Sequence, residues 1–84
     1  MKDNETLLKD LQAELNNLNE KIVKLVAFLH GKEEHEISRD HLALLVEQRE
    51  KMLAYADVLR LRVNLVRYDM RVDESLRKLE SELK

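Results

Sequence analysis

The chain has 84 residues, of which 38% are charged and 4% aromatic, with one glycine, no proline and no cysteine. This composition is typical of a long-helix or coiled-coil protein, and one domain of this size buries little core by itself. The lack of cysteine excludes disulfides and thiolate metal sites, and the formal net charge of −2 argues against general nucleic-acid binding. We expect neither a signal peptide nor a membrane-spanning segment, so oligomerisation is the remaining way to stabilise so small a fold.

The first predicted element is a helix from about residue 4 to residue 30. Asp3 or Asn4 can cap its amino end, and Gly31 is expected to end it in a left-handed conformation. Its apolar residues recur in steps of three and four, the 3.5-residue repeat of a helix that packs against a partner helix. We call this set the seam, and its members are Leu8, Leu11, Leu15, Leu18, Ile22, Leu25 and Leu29.

A loop is predicted over residues 31–38, and a second helix from about residue 39 to residue 82, with Ser38 as its N-cap. This helix carries two apolar stripes. The inner stripe can pair with the seam, and it consists of Leu42, Leu45, Met52, Ala56, Leu59, Val63, Val66 and Met70. The outer stripe consists of Val58, Leu61, Leu65, Tyr68, Val72, Leu76, Leu79 and Leu83. Another chain must bury the outer stripe, since it would otherwise be a long exposed hydrophobic face.

The predicted fold is therefore all-α, a two-helix antiparallel hairpin with a long second helix, forming one domain over residues 1–84. We expect copies of this hairpin to assemble as a homo-oligomeric helical bundle. In a monomer, the last third of the second helix would have nothing to lie against, because that helix is far longer than the first. Phe28 and Tyr55 are expected to be core residues.

A line of polar residues lies between the two stripes of the second helix. Their spacing of 4-3-4 confines them to an arc of about 60°. Guanidinium groups one turn apart suit phosphate oxygens, because each presents a two-pronged pair of donors. The line consists of Arg60, Asn64, Arg67 and Arg71. The alternative, which composition favours, is the solvated edge of a coiled coil, with Asp57 or Glu74 neutralising the line.

No catalytic motif accompanies these residues, so we expect neither an enzyme nor a bound cofactor. His30, His35 and His41 cluster around the loop, but their spacing matches no metal-ligand pattern, and we expect no metal site. On the first helix, Lys21 and Lys24 are expected beside the seam, with their stems covering apolar surface.

A further pattern spans residues 15–63. It includes the run Lys24-Leu25-Val26-Ala27-Phe28-Leu29 and continues after a short loop with Ile37-Ser38. In the second helix it rests on Leu44, Leu45, Gln48, Met52, Tyr55, Leu59, Arg62 and Val63. This pattern is similar to that of the bacteriophage anti-CBASS sponges, which sequester cyclic oligonucleotides. The anti-Thoeris sponges, which trap cyclic ADP-ribose-type signals, share the hairpin.

The resemblance implies a homo-hexamer that binds cyclic dinucleotides between protomers, and in some members cyclic trinucleotides elsewhere, without cleaving them. It also implies a phosphate-binding lysine in the first helix, a role that falls to Lys24 or Lys21. The family's base-stacking aromatic corresponds to a position near Leu7, which is not aromatic.

The expected function is thus immune evasion in the cytoplasm of the infected bacterial host, by sequestering a cyclic di- or trinucleotide or a cyclic ADP-ribose-type signal. The candidate ligand-binding residues are Lys21, Lys24, Arg60, Asn64, Arg67 and Arg71. The alternative is a self-associating helical adaptor or structural protein with no small-molecule ligand.

Overall fold

The computed structural model describes residues 3–31 and 37–83 of the chain. It contains two helices, α1 (Asn4–Leu29) and α2 (Arg39–Leu83), of 26 and 45 residues. The helices pack antiparallel, so that the start of α1 lies beside the distal part of α2. The longest dimension, 70 Å, is the length expected of α2 at about 1.5 Å per residue. The predicted all-α hairpin with a long second helix is confirmed, and most of the predicted loop, with His35, lies outside the described residues.

Side-chain caps begin both helices. A carboxylate oxygen of Asp3 accepts the backbone N–H of Thr6 at 2.8 Å, and the Ser38 hydroxyl oxygen accepts the backbone N–H of His41 at 3.1 Å. Hydrogen bonds from the Thr6 backbone and then its side chain lower the pKa of Asp3 below its ordinary value, because they favour the charged carboxylate. The prediction that Ser38 caps α2 is confirmed, and Asp3 rather than Asn4 caps α1.

The carboxyl end of α1 differs from the prediction. No glycine among the described residues has a positive φ, so the left-handed stop predicted at Gly31 is wrong. His30 lies at φ −94° and ψ 1°, and its N–H still bonds to the Val26 carbonyl at 3.0 Å. The N–H of Gly31 bonds to the Phe28 carbonyl at 3.2 Å. The helix therefore ends by tightening its last turn to a three-residue hydrogen bond, which needs no left-handed residue.

The core lies between the two helices and is centred on α2. Leu11 of α1, 3% exposed, packs in one cluster with Leu59, Val63 and Val66 of α2, of which Leu59 is fully buried. Every residue of the seam and of the inner stripe is buried or half-buried, as predicted. The pairing of these two surfaces is what closes the hairpin.

The outer stripe is exposed along its whole length in the single chain. The exposed fraction runs from 37% for Val72 to 83% for Leu83. Every residue from Arg71 to Leu83 is exposed, so within residues 3–31 and 37–83 no packing against α1 buries this last part of α2. Eight large apolar side chains therefore line one uncovered face of α2.

The two aromatic residues predicted to be core are not buried. Phe28 and Tyr55 are each 43% exposed. Each is the sequence neighbour of a residue that faces the other helix, half-buried Leu29 and buried Ala56. One residue turns a helix by about 100°, so both aromatic side chains lie to the side of the helix contact. The Tyr55 hydroxyl donates a hydrogen bond to Glu14 of α1. This bond, followed by burial and the negative charge of Glu14, raises the pKa of Tyr55 above its ordinary value. Tyr55 thus links the two helices at the rim of the core rather than inside it.

We expect Leu59→Ala to lower the free energy of unfolding by about 2–5 kcal/mol, because it leaves a cavity at a fully buried position. The matched change Leu44→Ala removes the same atoms from a side chain that is 64% exposed, and should cost less than about 0.5 kcal/mol. Urea unfolding of both variants tests this. Equal losses of stability would contradict the assignment of the core to the inner stripe.

Candidate functional site in a groove between the helices

An open cavity of about 430 Å³ lies along one edge of the hairpin. Its floor is apolar, formed by half-buried Leu15 and buried Val63, while its walls are polar. We call it the amide half of the groove, because three of its wall residues are amides. The walls are formed by Gln12 and Asn16 of α1 and by Arg60, Asn64 and Arg67 of α2.

A second open cavity, of about 520 Å³, continues the first toward the start of α1. The two share Asn64 and Arg67, so they form one continuous groove. We call the second cavity the apolar half, because Leu8 and Met70 contribute to its surface. Its lining residues are Leu8, Asn64, Arg67, Met70, Arg71 and Glu74.

The groove brings together the four α2 residues of the predicted polar line. Arg60 lies in the amide half, Arg71 in the apolar half, and Asn64 and Arg67 in both. This arrangement follows from the 4-3-4 spacing, which places all four beside the inner stripe and hence beside α1. Sequence reasoning identified the α2 wall of the groove but not the α1 wall.

Gln12 and Asn16 form the polar part of that α1 wall. They are four residues apart, and so lie on one face of the helix, one turn from each other. They flank the seam residues Leu8, Leu11 and Leu15. That position beside the seam was the signal in the sequence that could have found them.

Lys21 and Lys24 do not line this groove. Lys24 follows buried Ile22 by two residues, which places it about 200° around α1, so it faces away from α2. Lys21 lies about 100° from Ile22 on the other side. Both are exposed. The expectation that Lys24 lies beside the seam is wrong, and neither lysine joins the α2 arginines.

Acidic residues limit the positive charge of the groove. Nη1 of Arg60 lies 2.8 Å from Oδ1 of Asp57, one helical turn earlier, and Glu74 lines the far end. These two residues, Asp57 and Glu74, are the ones that the sequence indicated could neutralise the polar line at a solvated edge. Among residues 3–31 and 37–83, no ion pair forms with Arg67 or Arg71. These two guanidiniums are therefore the cationic groups in the groove that are available to an anion.

Beyond Glu74 the surface becomes acidic. A third open cavity, of about 890 Å³, lies beside the amino end of α1 and contains four carboxylates against one guanidinium. Its lining residues are Asp3, Asn4, Glu5, Met70, Asp73, Glu74 and Arg77. The part of the groove whose charge favours an anion is consequently the stretch between Arg60 and Arg71.

The described part of the chain contains no group of three or more histidine, cysteine, aspartate or glutamate residues placed to hold a metal ion. Its helices also include none with the length and apolar character needed to span a bilayer.

The fold and the groove define a class of protein, a helical hairpin with a cationic groove along the edge of its helix pair. The model of one family, Sequestin, matches residues 5–65, which are 61 of the 84 residues. The chain therefore belongs to the Sequestin family. The family name denotes sequestering, and the membership confirms the resemblance to a sponge-type family. No curated protein and no solved structure matches the chain.

The family match covers most, but not all, of the groove. It includes the whole of α1 from Glu5 onward and α2 as far as Leu65, so both amide-bearing walls fall within it. Arg67 and Arg71 lie beyond its end. The two guanidiniums without an ion pair among the described residues thus lie in the part of α2 that the family match does not cover.

We expect Asp57→Asn to strengthen binding of inorganic pyrophosphate to the groove by up to about fivefold, because it frees Arg60 from an exposed ion pair worth at most about 1 kcal/mol. Isothermal titration calorimetry at low salt measures the change. Asp69→Asn removes the same charge from α2 outside the groove and serves as the control. If both variants respond alike, only net charge matters, and Asp57 does not compete with anions for Arg60.

Proposed function

We propose that this protein sequesters cyclic oligonucleotide immune signals, cyclic dinucleotides or trinucleotides, without cleaving them, and so blocks host antiphage signalling in the cytoplasm of the infected bacterium. The observation that carries the proposal is the convergence of Arg60, Asn64, Arg67 and Arg71 with α1 on one groove in a chain of the Sequestin family. A cyclic ADP-ribose-type signal is the alternative ligand, because the anti-Thoeris sponges share the hairpin that this chain resembles.

The size and chemistry of the groove support this ligand class. Its two halves, of about 520 and 430 Å³, lie within the usual range for small-molecule sites, roughly 300–1,000 Å³. A guanidinium offers paired donors to phosphate oxygens, and Arg67 stands where the two halves meet. A phosphodiester at Arg67 would leave one nucleoside to each half of the groove.

Sequestration needs affinity rather than catalysis. A sponge lowers the free concentration of a signal only when its sites outnumber the signal and its dissociation constant lies below the concentration that activates the host effector. Guanidinium, amide and apolar groups supply such affinity by binding and desolvating the ligand. The ligand is then retained intact.

We also propose that the protein acts as a homo-oligomer, with the hexamer implied by the family resemblance as the expected assembly. The exposed outer stripe supports this, because eight large apolar side chains on one helix face exceed what monomers usually leave uncovered. Symmetric copies can bury it through a self-complementary contact. The polar line lies between the inner and outer stripes, so each groove would border an interface between chains.

We expect a member of a panel of cyclic di- and trinucleotides and cyclic ADP-ribose to raise the melting temperature of the protein. A ligand at 100 times its dissociation constant stabilises the native state by about 2.7 kcal/mol. Ligand recovered after heat denaturation should be chemically unchanged by chromatography. Recovery of linear or hydrolysed products would contradict sequestration, and a panel with no shift would favour the adaptor alternative.

The variant Arg67→Gln locates the site in that assay. It should weaken binding at least tenfold, because it removes the central free guanidinium, and should leave the oligomer intact. Arg62→Gln removes the same charge from α2 outside the groove and is the matched control. Lys24→Ala tests the lysine role implied by the family, and a loss of binding there with none at Arg67 would move the site to the outer face of α1.

Analytical ultracentrifugation tests the assembly. At micromolar concentration the wild-type chain should sediment at several times its 10.0 kDa mass, and Leu65→Glu should dissociate it by placing a charge in a buried apolar contact. Leu44→Glu changes a leucine that is equally exposed in the single chain but lies off the outer stripe, and should not. A monomeric wild-type protein would refute the proposal.

A further inference from the structure

The two halves of the groove differ in hydrogen-bonding chemistry. The amide half presents the side chains of Gln12, Asn16 and Asn64 around Leu15 and Val63. The apolar half presents Leu8 and Met70 instead, with Asn64 as its one amide. A ligand that spans both halves therefore contacts hydrogen-bonding side chains at one end and mainly apolar side chains at the other.

Amides are the groove residues that both donate and accept hydrogen bonds. Each has one carbonyl acceptor and two N–H donors, whereas a guanidinium only donates and an ionised carboxylate only accepts. Within residues 3–31 and 37–83, no hydrogen bond joins Gln12, Asn16 or Asn64 to another side chain. The Gln48 amide, by contrast, is engaged with the Met52 sulfur at 3.7 Å. The three groove amides thus remain available to a ligand that carries both donors and acceptors.

The amide half also contains two charged residues, Arg60 and Arg67, whose interactions differ from those of the amides. Nη1 of Arg60 is bonded to Oδ1 of Asp57 at 2.8 Å, so part of the donor set with which a guanidinium reads guanine is already engaged. Arg67 lies at the junction of the halves, where it can hold a phosphate. An amide can make a bidentate contact with adenine, donating to N7 and accepting from the N6 amino group. Gln12 and Asn16, one turn apart on α1, are placed to make it.

We propose that the amide half is the specificity-determining part of the site, in which Gln12 and Asn16 read the edge of an adenine base while Arg67 holds the neighbouring phosphate. This inference rests on the proposed function and adds a preference for adenine-containing cyclic nucleotides. Phosphate contacts position a nucleotide, and base contacts specify it. Variants of the two amides must therefore change the choice of base, whereas a variant of Arg67 must change the affinity for every ligand alike.

The test compares cyclic di-AMP with cyclic di-GMP by isothermal titration calorimetry on the full chain. The wild-type protein should prefer the adenine ligand by about tenfold or more, the discrimination of one good bidentate contact. Asn16→Leu and Gln12→Leu should each reduce this ratio toward one. Arg67→Gln should weaken both ligands by the same factor and leave the ratio unchanged.

Asn17→Leu is the matched control, since it is exposed, lies next to Asn16 and does not line the groove. It should alter neither affinity nor ratio. A wild-type preference for guanine, or a ratio unchanged in both Asn16→Leu and Gln12→Leu, would overturn this inference while leaving sequestration standing. Failure of every cyclic nucleotide to bind would overturn the proposed function and the inference together.

Discussion

The packing of Leu11 against Leu59, Val63 and Val66 is the contact on which everything else in the molecule depends. It fixes the rotation of each helix about its axis and the register of one helix against the other. Once Val63 faces α1, helical geometry places Asn64 and Arg67 at one rim of the contact and the outer stripe beyond them. The groove is thus a by-product of core packing. Its shape is set by apolar residues that no ligand needs to touch.

The periodicity of the sequence was sufficient to predict the hairpin, the inner stripe and the uncovered outer stripe, because apolar spacing directly encodes which face of a helix is buried. The periodicity predicted burial less well for residues that lie beside a stripe. Tyr55 was predicted to be a core residue and lies one residue from buried Ala56. Its hydroxyl nevertheless donates a hydrogen bond to Glu14 at the rim of the core. Lys24 was misplaced for the same reason, because it is close in sequence to the seam residues Ile22 and Leu25 but lies about 200° around α1 from Ile22.

The site was predicted on α2, where four polar residues repeat regularly, and was missed on α1. Arg60, Asn64, Arg67 and Arg71 repeat at one-turn intervals, and this spacing marks a line on α2 whatever the line faces. The α1 wall depends on the register between two helices, and that register is settled by side-chain packing rather than by a local pattern. Gln12 therefore becomes a groove residue only when the hairpin is closed. Gln12 and Asn16 were missed because their place in the groove depends on how two segments distant in sequence pack together.

The apolar half of the groove joins Leu8 to Arg71, residues from near the opposite ends of the chain. Helix ends fray more readily than helix centres, and the start of α1 has only the distal part of α2 to hold it. A small molecule bound there would hold the start of α1 against α2 at the end of the hairpin opposite the connection between the two helices. Its escape would then be coupled to fraying of α1, so that the residence time of the ligand and the protection of these backbone amides from hydrogen exchange would rise and fall together.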